Sequence, residues 1–115
     1  NRIDHVFENL LLNAVQWTRA LPSRKGHVDV RATLVDIDNA PWIRIHVTDN
    51  GPGIHCEMWE KIFGMGVTTR EGGSGQGLYI ARSLVESMGG RLYVEDSLML
   101  LGTTFAVELP AARES

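Results

Sequence analysis

Residues 42–54 run Trp42-Ile43-Arg44-Ile45-His46-Val47-Thr48-Asp49-Asn50-Gly51-Pro52-Gly53-Ile54. The first part alternates, with Ile43, Ile45 and Val47 on one face of a strand and Arg44, His46 and Thr48 on the other. Asp49 has the parity of the apolar set, so a continuing strand turns its carboxylate toward the core. A core-facing acid needs a partner. Two outcomes are open. The strand can stop one residue early, leaving Asp49 to cap the following turn. Alternatively, the carboxylate accepts a hydrogen bond from an exocyclic amine such as that of adenine. Gly51 and Gly53 then let the backbone approach a flat ring with no Cβ in the way.

Outward from this stretch, residues 27–35 also alternate, and Val28, Val30, Ala32 and Leu34 share one face. A turn from Asp36 to Pro41 predicts an antiparallel hairpin with 42–49. Before it, residues 2–19 predict an amphipathic helix, with Ile3, Val6, Phe7, Leu10, Leu11, Ala14 and Trp17 at i, i+3, i+4, i+7 spacing. After it come a short helix at 56–62, a polar glycine-rich loop over 64–75 and a helix over 77–88 stopped by Gly89-Gly90. Strands around 91–95 and 103–109 end at Pro110. Strands in adjacent pairs predict an α+β fold, a two-layer sandwich with helices on one face of a mixed sheet.

The 115 residues suit a single domain. A net charge of -3 gives no nucleic-acid footprint. No apolar run approaches the roughly 18 residues of a membrane span, so membrane contact is not expected. One cysteine, Cys56, excludes an internal disulfide and fits a reducing, cytoplasmic compartment.

Three further constellations stand out. Asn9, Asn13 and Gln16 lie within roughly 60° of one another on the opening helix, and His5 extends the stripe. It is either a solvated helix face or a set of amides able to ligate Mg²⁺ and meet phosphate. Gly73-Ser74-Gly75-Gln76-Gly77 runs into a helix. It is either a flexible connector or a loop presenting backbone N–H groups to an anion. It is neither a Walker A loop nor a dinucleotide fingerprint. Thr103, in Gly102-Thr103-Thr104-Phe105, has inward parity; its hydroxyl either bonds nearby backbone or contacts the base.

In this order the motifs resemble the histidine-kinase ATPase family, which shares its Bergerat-type fold with gyrase, Hsp90 and MutL. Glu8-Asn9-Leu10-Leu11-Leu12-Asn13-Ala14 resembles the N box, and Asp49 to Ile54 the first glycine box. Lys61-Ile62-Phe63 resembles the F box, Gly73 to Leu78 the second glycine box, and Gly102 to Phe105 the terminal Gly-Thr motif. The resemblance spans about residues 2 to 110.

It implies ATP and Mg²⁺ as cofactors. Asn13 would hold Mg²⁺, with Asn9 and Gln16 lining the phosphate channel as the other catalytic positions. Asp49 would bond the adenine amine, and Gly53 and Thr103 would complete the base pocket. Gly73, Gly75 and Gly77 would meet the phosphates. Trp17, Gly51, Ile54, Ser74, Gln76 and Leu78 fall in the same nucleotide-contacting set. Residues 64–76 would form a lid, anchored at its near end by Phe63. Gln16 stands where kinases often carry a basic residue, and Gln76 where an aliphatic one is usual.

Asn9 stands where the hydrolases of this superfamily carry an acid that deprotonates water. Its amide favours a histidine acceptor, whose neutral ring already has a lone pair. The resemblance therefore implies a sensor histidine kinase's catalytic domain, residues 1–115, truncated before its dimerisation and phosphoacceptor histidine domain. A response regulator would be reached through the parent protein. A degenerate nucleotide-binding module and a gyrase- or Hsp90-like hydrolase are the alternatives.

Overall fold

A computed structural model describes residues 2–65 and 77–111. Helix α1 spans Arg2–Thr18 and buries Val6, Leu10, Asn13, Ala14, Trp17 and Thr18. Its apolar stripe sets that face, and each large aliphatic or aromatic side chain so enclosed contributes roughly 1.5–3 kcal/mol. Thr18 closes the last turn by donating from Oγ1 to the Val15 carbonyl at 2.7 Å.

Strand β1 (Val28–Ile37) and strand β2 (Ala40–Asp49) form the expected hairpin. Asp38 and Asn39 make its two-residue tip at φ 51 and 63, a left-handed pair that these short polar side chains tolerate. The segment read as one short helix at 56–62 is two 3-10 turns, Cys56–Met58 and Lys61–Phe63. Helix α2 (Gly77–Ser87) follows, then β3 (Arg91–Leu98) and β4 (Gly102–Pro110).

The α+β class holds, with a sheet of order β1-β2-β4-β3. Every described strand pairing is antiparallel, so the sheet is not the mixed one expected. The cause is topological. After α2 the chain returns as β3 in the direction of β2, but β4 inserts between the two and runs against both.

The core lies between this sheet and the helices. Val47, Leu92, Val94, Phe105 and Val107 from the strands meet Val6, Leu10, Ala14, Ala81 and Val85 from the helices. The inward set expected on β1 is only partly enclosed: Val30 is 50% and Leu34 72% exposed. β1 is an edge strand, and α1 lies over β2 and α2 over β3. Alternation fixed the face correctly without determining how far the helical layer reaches.

On the opposite face of β4, Glu108 is 1% exposed. Arg44 Nε and Arg91 Nη2 each approach its carboxylate to 2.6 Å, and the Tyr93 hydroxyl donates at 3.1 Å. The Arg91 guanidinium also lies 6.0 Å from the Trp42 ring centre. Burial raises the Glu108 pKa, but hydrogen bonds from Arg44 and Tyr93 and the charge of Arg91 outweigh it. The net shift is downward.

Candidate functional site

β2 continues through Asp49, which faces Thr103 of β4 across the ladder. Both residues are 4% exposed. Asp49 Oδ1 accepts from the Gly51 N–H at 2.9 Å, and the nearby Thr103 N–H favours the charged carboxylate. The strand does not stop one residue early. The strand delivers the carboxylate inward, and the side chain still tethers the turn two residues on. Burial raises the Asp49 pKa, and these two N–H donors restrain the rise.

Close backbone approach explains the glycines here. Gly102 has φ 137, and a Cβ there would strike the Asp49 carbonyl oxygen. Gly51 lies on the end of α1, where a Cβ would come within 3.1 Å of the Trp17 carbonyl oxygen. A cleft of about 160 Å³ opens at this end of the sheet, bordered by Asp49, Thr103, Ser97 and the β3–β4 turn.

Several positioning residues escaped the sequence reading. Trp59 donates from its indole to the Ile54 carbonyl at 2.9 Å, and Ser97 Oγ accepts from the Ile54 N–H at 2.7 Å. Asn50 accepts from the His27 N–H and donates to the Lys25 carbonyl, both at 2.8 Å. Arg24 caps the Asn50 carbonyl at 2.9 Å. These contacts pin the loop 50–54 from three sides. The contacts of Ser97, Asn50 and Arg24 have no local signal, since they join residues distant in sequence, and Trp59 reaches back five residues outside any periodic pattern. Ile54 itself is buried in the core.

The stripe on α1 is more than a solvated face. Asn13 is 6% exposed and Trp17 7%. Asn9 and Gln16 are half-buried, and Asn9 donates to the His5 carbonyl at 3.0 Å. Gln16 Oε1 and Trp17 Nε1 are enclosed without a hydrogen-bond partner among the described residues. Gly77, the first residue of α2, faces the stripe: a Cβ there would lie 3.4 Å from Asn9 Oδ1. Leu78 packs against the core.

Phe63 is 4% exposed and meets Phe105 edge-on at 6.1 Å. Arg82 of α2 lies 4.5 Å above the Phe63 ring centre and pairs with Glu60 at 2.9 Å. Gly73, Ser74, Gly75 and Gln76, with most of the lid expected over 64–76, lie outside the described residues. No cluster of three or more His, Cys, Asp or Glu able to hold a metal occurs among the described residues. No described helix is long and apolar enough to cross a membrane.

The family described as histidine kinase-, DNA gyrase B- and HSP90-like ATPase matches residues 1–113. The chain belongs to that family. Among curated relatives, the sensor histidine kinase AruS of Pseudomonas aeruginosa is 43% identical over 96% of this chain. The sensory histidine kinase/phosphatase NtrB of Klebsiella oxytoca is 36% identical over 96%. The chain spans 11% of the first and 32% of the second. Among solved structures, the mycobacterial sensor histidine kinase MprB superposes with a TM-score of 0.79. It is 29% identical, and the match covers 98% of this chain and 72% of that one. Full-length ShkA in complex with AMPPNP gives 0.75 at 32% identity, over 99% of this chain and 22% of that one.

Proposed function

We propose that this chain binds ATP with Mg²⁺ and presents the γ-phosphate to a histidine on a separate dimerisation segment of a sensor kinase. The observation that carries the reading is the Asp49 carboxylate. It is buried at the end of β2, held by the Gly51 N–H opposite Thr103, and borders a cleft. An acceptor so placed suits an exocyclic amine. The AMPPNP bound by the relative ShkA supports the ligand class. Asn9, Asn13 and Gln16 line the phosphate side, together with Gly77 at the start of α2. Gly73 and Gly75 are proposed to complete the anion contacts.

The residues fit Mg²⁺ in a particular way. The enclosed Gln16 Oε1 and the amide oxygen of buried Asn13 are hard oxygen donors. Mg²⁺ commonly uses one or two protein oxygens and takes the rest of its shell from phosphates and water. When bound, it neutralises charge on the phosphates. The chain's own residues orient the nucleotide and exclude water around the base. Asn9 cannot serve as a base, and its amide already donates to the helix backbone. This supports transfer to a histidine over activation of water. A response regulator would then take the phosphoryl group from the parent protein, and the domain would work in the cytoplasm.

Titrating ATP with and without Mg²⁺ tests this directly. Asn13→Ala is expected to remove the Mg²⁺-dependent gain in affinity, about tenfold, while leaving Mg²⁺-free binding unchanged. Supplying a phosphoacceptor segment should yield acid-labile phosphate on its histidine. Steady ATP turnover by the chain alone would instead establish a hydrolase.

A further inference from the structure

β1 is paired on one side only, and it lacks two of the devices that commonly blunt a sheet edge. It runs ten residues with neither a proline nor a bulge. Its helix-facing side chains Val30 and Leu34 are exposed. The uncovered apolar surface continues onto α1. Leu11 and Val15 turn roughly 100° and 140° from buried Leu10, away from the Asn9 side that faces Gly77 of α2. Both are exposed, and they overhang the β1 side of the sheet.

The charges on β1 select what covers this surface. Asp29 and Arg31 share the face away from the helices, two residues apart. Opposite charges so spaced are self-complementary in an antiparallel pair. With a two-fold axis through Val30, perpendicular to the sheet, Asp29 of each copy lies opposite Arg31 of the other. An axis at Asp29 or Arg31 instead sets like charges together. An axis at Ala32 sets the helix-facing Asp36 against Val28. Opposite charges directly across a ladder stabilise it, and like charges oppose it. The Val30 axis also sets Val30 against Val30 and Val28 against Ala32 on the helix-facing side.

The spacing agrees. In such a pair the two β2 strands stand three strand intervals apart, about 14 Å. Each α1 lies over its own β2, and packed helices approach to roughly 8–10 Å. The two α1 helices thus leave a slot between them, and Leu11 and Val15 of both copies fill it above Val30. We infer that β1 pairs with β1 of a second copy of this chain, antiparallel about a two-fold axis through Val30. The two four-stranded sheets become one, with both helical layers on the same face.

Sedimentation of the chain over a concentration series to about 1 mM should show a shift from monomer to dimer. Arg31→Glu places two acids opposite each other twice and should weaken the dimer about tenfold. Exchanging the charges, as Asp29→Arg with Arg31→Asp, should restore it. Val30→Cys, with the native cysteine replaced as Cys56→Ser, puts two thiols on the axis. Facing Cα atoms of an antiparallel ladder lie about 4.5–5.5 Å apart, a separation that suits a disulfide. Mild oxidation with oxidised glutathione should therefore cross-link Val30→Cys and not Leu34→Cys, whose copies lie far from each other. Cross-linking confined to Val30 supports the pairing even where the dimer is too weak to sediment. Equal cross-linking at both positions, or a dimer that Arg31→Glu leaves intact, means that another surface pairs and overturns the inference. A dimer that the exchanged charges fail to restore denies the register and overturns it too. So does a chain that stays monomeric and resists cross-linking at Val30.

Discussion

In Asp49→Asn, ATP affinity is expected to fall about 100-fold while the nucleotide-free protein melts at or above the native temperature. The first effect follows from replacing an ionised acceptor by an amide, which is half donor. A hydrogen bond to a charged group contributes about 1.5–3 kcal/mol, and a misdirected amide N–H adds to the loss. The second follows from burial. The carboxylate is 4% exposed, and desolvation raises its pKa more than the Gly51 and Thr103 N–H groups lower it. A group whose folded pKa is raised gives stability that is complete below its unfolded value. That stability is lost as pH rises through the folded value. At neutral pH the native protein thus carries a charge it would fold more easily without, and asparagine removes it. The melting difference should shrink as pH falls toward the unfolded value of 3.8. Isothermal titration and pH-dependent melting curves measure the two effects. Undiminished ATP affinity would refute the adenine assignment, and a lower melting temperature in the variant would refute the cost of the buried charge.

Glu108 provides the opposite case. Removing both its cationic partners, as Arg44→Met with Arg91→Met, should lower the melting temperature by roughly 10–20 °C at pH 7. Glu108→Gln alone should lower it by only a few degrees. The asymmetry follows from exposure. Arg44 and Arg91 are 32% and 59% exposed, so without Glu108 they can be solvated, whereas Glu108 is 1% exposed and cannot. The pH dependence should also reverse. In the native protein the Glu108 pKa is lowered, so its contribution is present above the unfolded value of 4.5 and is lost as pH falls through the folded value. In the double variant only burial and the Tyr93 hydroxyl remain to set the pKa. Acidification, which protonates the stranded carboxylate, should then restore stability. Melting curves between about pH 4 and pH 8, from the ordinary carboxylate range up to that of a buried unpaired glutamate, would show it. Equal losses in the two variants would mean that Glu108 is solvated after all.

Much of this was legible in the chain. Alternation through Val47 placed Asp49 inward, and alternation back from Leu109 did the same for Thr103. The ladder sets these two residues opposite each other. Helical spacing gave α1 and its stripe, and burial of Asn13 shows the stripe to be partly enclosed. What pattern could not reach was lateral. Nothing periodic says that β4 separates β2 from β3, or that the helices leave most of β1 uncovered. Those are packing outcomes decided by elements far apart in sequence. The same limit hid Ser97, Trp59 and Asn50. Each acts through a few hydrogen bonds that the fold alone brings together, and a lone serine, tryptophan or asparagine carries no spacing to recognise.

The place of β4 also has a consequence for synthesis. It leaves the ribosome after every other described element, yet it occupies an interior position in the sheet. Until it arrives, the nascent chain has one completed hairpin, and the inner edge of β2 has no neighbour. Asp49 meanwhile lacks Thr103. On the proposed base site the pocket is complete only once β4 has closed the sheet, and a nucleotide binding there would stabilise the closed form.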